Sequence, residues 1–366
     1  MHRLVILSGS SHPEFTQLIA EHLNIAETQV LRGKFANGEI RFELEESIRG
    51  ADVFIVQSHC GAVNDMLMEL LIMAQTCRYA SAHRITAVLP FFPYARQDKM
   101  QSFHQPITAK LVANMLVLAG VDHVLTLHLH ADQLQGFFDI PCDNLSAEIA
   151  IIPWIQRYLP NWQEMVIVAP DNGAVKIASS IAAQLDLRMA LLHKDRVKPG
   201  EVRDMVLVGD VTGKPALLVD DMADTSRTLL FATQRLIEAG ASKVYAVVTH
   251  GVFSGNAIQL LTESPIELIM CTNSLPQAAC DCDNKKFHVI DISRVFKQCI
   301  LHMHKNKSVH QLFASRSMAL TDDDHLQLED AEQVLEEDLV VKQQLEKQKS
   351  ETLINESKVG FRLSKR

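Results

Sequence analysis

No apolar run in the 366-residue chain approaches the roughly 18 residues that a membrane-spanning helix needs. The opening "MHRLVILSGSSHPEF" holds a short apolar run that stops at a Ser/Gly turn, so it reads as a first strand and not as an export signal. Basic clusters are scarce. Against 44 Asp and Glu there are 35 Lys and Arg, and the net charge of −9 excludes the electrostatic footprint of a nucleic-acid binder. The seven cysteines, Cys60, Cys77, Cys142, Cys271, Cys280, Cys282 and Cys299, follow no framework spacing. Cys280 and Cys282 stand one residue apart, which suits neither a zinc knuckle nor a thioredoxin-type motif. Plain thiols in a reducing, cytoplasmic setting are expected. Glycines two residues apart are absent, and a dinucleotide-binding reading loses its support with them.

Short β-rich runs alternate with helical patterns along most of the chain. "RLVILS", "DVFIVQS", "RITAVLP" and "HVLTLHL" in the first half, and "MVIVAP", "MALLHK", "PALLVDD", "VYAVVTHG", "IELIMCT" and "FHVIDIS" in the second, read as buried strands. Such strands between amphipathic helices indicate parallel sheets covered on both faces, and ten of them fit two sheets better than one. The expected architecture is α/β, with two doubly wound parallel-sheet domains at 1–147 and 148–303. A return segment at 304–316 and a tail at 317–366 follow. The tail carries 12 acids and 7 bases, more than half of the net charge, and reads as a marginal, solvated helix and not as a coiled coil. Ligands in open parallel sheets sit beyond the carboxyl ends of the strands. The polar loops there, including Lys194–Val202, are the places to look.

The turn "VDDMADTSRTLL" runs from a strand end into a helix. Asp220, Asp221 and Asp224 can hold sugar hydroxyls or a metal, while Thr225, Ser226, Thr228 and the helix-start N–H groups can hold a phosphate. Arg227 stands where a glycine would be suited if that position required φ > 0. "FPYARQDK" places Arg96, Gln97, Asp98 and Lys99 in a loop long enough to grip a triphosphate, or simply to form a surface charge cluster. "HKDRVK" supplies Lys194 and Arg196 at another strand end, as transition-state stabilisers or as solvated charge. In "KFANGE", Phe35, Asn37 and Glu39 suit a purine, and Asn-Gly is equally a hairpin signal. His128 and His130 in "LHLHAD" stand at i, i+2 and would share a face if the strand continues through them.

Together with "MELLIMAQTCRYASAHRITAVLPFFPYARQDK", "LHADQLQGFFDIPCDNL", "HKDRVKPGEVRDMVLVGDV" and "THGVFSG", these segments resemble ribose-phosphate diphosphokinase, the phosphoribosyl pyrophosphate synthetase family, over residues 1 to about 315. The resemblance implies phosphoribosyltransferase-like domains. It also implies transfer of the β,γ-pyrophosphoryl group of Mg-ATP to the anomeric hydroxyl of ribose 5-phosphate. Catalytic roles fall to Lys194, Arg196 and Arg96; ATP contacts to Phe35, Asn37, Glu39, Arg96, Gln97, Asp98 and Lys99; ribose 5-phosphate contacts to Asp220 through Thr228. Mg²⁺ is expected at His128, His130, Asp139, Asp143 and Asp171. Ser47, Arg49, Ser81, Gln135, Asn144 and Ser308 match regulatory positions. A homo-oligomer, or a mixed oligomer with related synthetase subunits, is implied as well.

The chain departs from the family pattern at the ligand loops. The family has aspartate at position 128, and Asn172, Ala174, Val175 and Ile177 break its glycine- and arginine-bearing loop. "KMQSFHQP" lacks the usual charged closing loop. An active synthetase is one reading. A weak or inactive subunit that regulates active synthetases is the alternative, and a phosphoribosyltransferase fits less well, having no need of "FANGE" or "FPYARQDK".

Overall fold

The computed structural model describes residues 2–100, 102–198, 201–277, 285–310 and 312; the side chains of 194–198 and 201–205, Cys280, Cys282 and the tail lie outside the described residues. The first sheet is built from Leu4–Ser8 (β1), Asp52–Val56 (β4), Arg84–Leu89 (β5), His123–Leu127 (β6) and Cys142–Leu145 (β7). Its order is β1-β4-β5-β6-β7, and every neighbouring pair is parallel. Between β1 and β4, Val30–Lys34 (β2) and Ile40–Leu44 (β3) form a separate antiparallel hairpin.

The second sheet contains Val166–Ala169 (β8), Arg188–Lys198 (β9), Glu201–Val208 (β10), Pro215–Ala223 (β11), Lys243–Gly251 (β12), Leu268–Thr272 (β13) and Phe287–Ile290 (β14). The order is β10-β9-β8-β11-β12-β13-β14, parallel except for the edge pair β9–β10. From β8 the chain winds outward to β9, then crosses back to β11 and winds the other way. The crevice between the ends of β8 and β11 is therefore the switch point at which such sheets take ligands.

All ten expected strands are present. The segment Lys194–Val202 is not a loop as expected: β9 continues to Lys198 and pairs with β10, with Lys194 opposite Met205 and Arg196 opposite Val202.

The helices follow apolar periodicity and local caps. Pro13 opens α1 (Pro13–Leu23) at the position where its missing N–H costs nothing, and left-handed Asn24 closes it. Val63–Tyr79 (α2) and Thr108–Ala119 (α3) bury Leu70, Met73, Val112 and Leu116 in the core of the first sheet. Glu148–Tyr158 (α4) leads to the second sheet, which packs with Val175–Leu185 (α5), Arg227–Glu238 (α6) and Ala257–Glu263 (α7). The last described helix, Ser293–His304 (α8), follows β14 but packs on α1, with Phe296 edge-on to Phe15 at 5.4 Å.

A buried polar clamp fixes that return. Asp52, at the start of β4, accepts from Arg84 Nε at 2.8 Å and Nη2 at 2.5 Å and pairs with His304 Nδ1 at 2.9 Å. Arg84 also donates to the Met303 carbonyl at 2.8 Å. Only 3% of the Asp52 side chain is exposed. Removing one member of a buried ion pair strands the other, so Asp52→Ala is expected to lower unfolding free energy by about 3 kcal/mol. Urea denaturation checks this; a loss below about 1 kcal/mol would mean that α8 is held by apolar packing alone.

Candidate functional site

Three carboxylates meet at the switch point of the second sheet. Asp220 and Asp221 close the buried run of β11, and Asp171 follows β8, where its Oδ1 accepts from the Gly173 N–H at 2.9 Å. Burial, reinforced by the charges of Asp221 and Asp171, pushes the Asp220 carboxyl well above the usual carboxylate range. Burial also pushes Asp221 up. The His130 hydrogen bond and the imidazoles of His130, His128 and His250 outweigh that effect and hold it below its ordinary value.

Three bridges connect this crevice to the loops of the first sheet. His130 Nδ1 donates to Asp221 Oδ2 at 2.5 Å, and this bond raises the imidazole above its ordinary value. Arg96 Nη2 donates to Asp224 Oδ2 at 2.6 Å, so the loop after β5 touches the turn after β11. Lys176 and Asp132 form the third ion pair.

β6 ends at Leu127, and His128 takes a left-handed conformation with φ of 44°. The alternation expected to put His128 and His130 on one strand face therefore does not apply. The chain turns there and delivers His130 to Asp221. Asp143 lies elsewhere. It bonds His123 at 2.8 Å, near the opposite end of β6 from His128 and roughly 15 Å away along the strand. Asp139 is 78% exposed beside Lys110. The expected metal set is thus not gathered, and among the described residues no three His, Cys, Asp or Glu side chains are placed to hold one ion. The carboxyls of Asp171, Asp220 and Asp221, gathered at one crevice, still suit Mg²⁺, which keeps several waters and is held by one or two carboxylates together with substrate phosphates.

In the ATP segment, Arg96, Gln97 and Lys99 are exposed while Asp98 is buried. Gln97 accepts from the Thr108 hydroxyl, and its carbonyl accepts the Ala109 N–H, so the loop is tied to the start of α3. "FANG" turns the β2–β3 hairpin with Gly38 at φ of 89°, and Phe35 stands 53% exposed on it. The side chains of Lys194 and Arg196 lie outside the described residues. Of the regulatory matches, Ser47 and Ser81 lend carbonyls to Arg3 and Gly50, while Asn144 accepts the Leu129 N–H.

Sequence reasoning put the glycine-like position of the β11–α6 turn at Arg227. The left-handed residue is Ser226, with φ of 60°, and Arg227 is the first residue of α6. Ser226 is also buried with its hydroxyl unpartnered. Arg227 is exposed, with no hydrogen bond or ion pair among the described residues.

A crevice of strand-end carboxylates on the second sheet, a helix-opening turn and cations brought from loops of the first sheet define an α/β protein of the phosphoribosyltransferase-like type. Residues 4–120 match the family model described as the N-terminal domain of ribose phosphate pyrophosphokinase, and residues 195–314 match the phosphoribosyl synthetase-associated domain. The crystal structure of phosphoribosylpyrophosphate synthetase from Mycobacterium smegmatis is 39% identical, with a TM-score of 0.78, over 83% of this chain and 99% of that one. A purine phosphoribosyltransferase from Pyrococcus horikoshii Ot3 is 18% identical over 36% of this chain and 89% of its own, with a TM-score of 0.26. The chain belongs to the ribose-phosphate pyrophosphokinase family.

Two stability measurements follow from the site. Ser226→Gly relieves a left-handed side chain and an unpaired hydroxyl, and is expected to raise stability by about 1 kcal/mol, whereas Arg227→Gly, inside α6, is expected to lower it by about 0.5–1 kcal/mol. Equal signs in thermal unfolding would mean that the turn is shifted by one residue. The second concerns His59, buried in the loop after β4 with its Nε2 unpartnered, and His250 on β12. Burial pushes both imidazoles down to about 4. Below the unfolded value of about 6.5 the unfolded chain binds protons that the native state refuses, so stability falls with pH from about 6.5 to about 4, by about 3 kcal/mol per group at most. His59→Gln is expected to flatten that acid limb; an unchanged limb in pH-dependent unfolding would mean that His59 is hydrated.

Proposed function

We propose that this chain catalyses transfer of the β,γ-pyrophosphoryl group of ATP to the anomeric hydroxyl of ribose 5-phosphate, releasing AMP. The observation that carries the reading is the pair of bridges, His130–Asp221 and Arg96–Asp224, which join a triphosphate-suited loop to a ribose-suited turn in one crevice. Asp220 and Asp221 would hold the ribose hydroxyls. Asp220, raised toward protonation, is fitted to donate as well as accept. The hydroxyl of Thr228, the helix-start N–H groups and the uncommitted guanidinium of Arg227 would hold the 5-phosphate.

The ribose oxygen attacks the β-phosphorus while the bond from that phosphorus to the α-bridging oxygen breaks; AMP leaves with the electron pair and the hydroxyl proton passes to solvent. Arg96, Lys194 and Arg196 are assigned to charge stabilisation in this step, because phosphoryl-type transfer rests on positioning and electrostatics. Bound Mg²⁺ would neutralise phosphate charge; one or two of Asp171, Asp220 and Asp221 would hold it, with water and substrate phosphates filling the remaining positions. Phe35, Asn37 and Glu39 are assigned to adenine. Phe35 is too exposed to enclose a base alone, which supports an oligomer in which a neighbouring copy or a related subunit completes the pocket. Among the described residues no helix is long and apolar enough to cross a membrane, in keeping with a cytoplasmic setting.

The purified chain is expected to form AMP from ATP only when ribose 5-phosphate and Mg²⁺ are both present, measured by chromatography of the nucleotides. Silence of the chain alone, with altered activity of an added synthetase, would replace this reading with that of a regulatory subunit.

A further inference from the structure

We propose that His250 is a positioning residue of the site: from β12 it holds the His128 carbonyl and so sets the turn that delivers His130 to Asp221. This deepens the functional reading above and rests on it for the part concerning rate. The turn has three anchors besides the His130 ring. The His128 N–H donates to the Leu145 carbonyl at 2.8 Å, and the Leu129 N–H donates to Asn144 Oδ1 at 2.9 Å. Both partners belong to β7, in the same sheet as β6. The third anchor comes from the other sheet: His250 Nε2 lies 3.3 Å from the His128 carbonyl oxygen. In the register of β11 with β12, His250 stands opposite Met222, the residue after Asp221. Two adjacent strands therefore grip one turn at two points, Asp221 by the ring of His130 and His250 by the carbonyl of His128.

Chemistry fixes the state of His250. A carbonyl only accepts, so Nε2 carries the proton; the neutral ring then has an acceptor at Nδ1, and the Ser274 hydroxyl lies 2.9 Å from it. Phe91 packs against the imidazole at 4.9 Å between centroids, and His250 is 1% exposed. The ring is oriented on every side and cannot turn away without stranding two polar groups. It has work to do, because His128 is a non-glycine residue in the left-handed region, a conformation that surrounding contacts must hold in place. Among the described residues, His250 touches none of the groups assigned to the pyrophosphoryl transfer except through the His128 carbonyl.

The experiment compares wild type with His250→Phe, which keeps an aromatic ring but loses the donor, and His250→Gln, whose amide can reach the carbonyl. The first readout is the downfield imidazole proton of the His130–Asp221 hydrogen bond in ¹⁵N-histidine-labelled protein without ligands; the second is kinetic. His250→Phe is expected to lose the downfield resonance and to lower kcat by about fivefold to tenfold, the size of one neutral hydrogen bond, at unchanged KM for ATP. His250→Gln is expected to restore both. A phenylalanine variant that keeps the resonance, or a glutamine variant that restores neither readout, overturns the proposal. If His250→Phe does not fold, Ser274→Ala frees the ring without emptying the core and must weaken the same resonance; an unaltered signal then counts against the proposal. Should the wild type release no AMP, the functional reading fails, while the resonance still decides the role of His250.

Discussion

Crowding of three carboxyl groups, which repel one another when ionised, is the constraint on which the site depends. At a separation on the order of 6 Å, two such charges repel by ~3 kcal/mol at an effective dielectric of ~20. The second sheet sets Asp171, Asp220 and Asp221 at one crevice because its strand order reverses there, and no cation of that sheet is bonded to Asp220 or Asp221 among the described residues. Relief comes from across the molecule. His130 and Arg96, both carried on loops of the first sheet, bond Asp221 and Asp224. Neither sheet makes the site alone, and the charge that would bind a sugar or a cation is also what draws the sheets together.

The remaining contacts between the sheets follow that division of labour. Ser58 Oγ donates to the Ser274 carbonyl at 2.5 Å, and His12 Nε2 lies 2.9 Å from the Asn273 carbonyl. These bonds are short, neutral and buried, and they use the loops after β1, β4 and β13. α8 closes the arrangement from outside: it follows β14 of the second sheet yet is clamped by Asp52 and Arg84 at the opening ends of β4 and β5. Cleft-side bonds and this outer clamp therefore restrain the sheets at opposite ends of the first sheet's strands, which limits how far the crevice can open.

How much of this was legible in the sequence depended on burial. "DVFIV" and "VYAVVTHG" announce strands because both faces are covered, every position is buried and most are apolar. β7, "CDNL", does not, because it is an edge strand of mixed polarity, and the charged first half of β10 hides an edge strand in the same way. At the site, residue types and strand-end positions identified Asp220, Asp221, His130 and Arg96. Their pairing was beyond reach, since the partners lie 91 and 128 residues apart. The left-handed position moves from Arg227 to Ser226 because α6 begins one residue earlier, at Arg227. The expected metal set faltered for a different reason. Resemblance put Asp143 beside the histidines, but the fold turns its carboxylate toward His123, on the side where burial and the charge of Asp143 push Cys299 up.

The histidine at position 128, where the resemblance leads one to expect aspartate, fits the same electrostatic argument. Both residue types accept the left-handed backbone more readily than most, so the turn survives the exchange. The charge does not. Burial pushes the His128 imidazole down, which keeps it neutral near pH 7. An aspartate there would add a further negative group within reach of Asp221, at a cost comparable to the repulsion between two ionised carboxyls. Neutral His128 leaves the crevice less anionic, with a weaker pull on Mg²⁺ and less dependence on a bound cation to hold the two sheets together. The site is better described as rebalanced than as lost, because the groups that bridge the sheets are all in place.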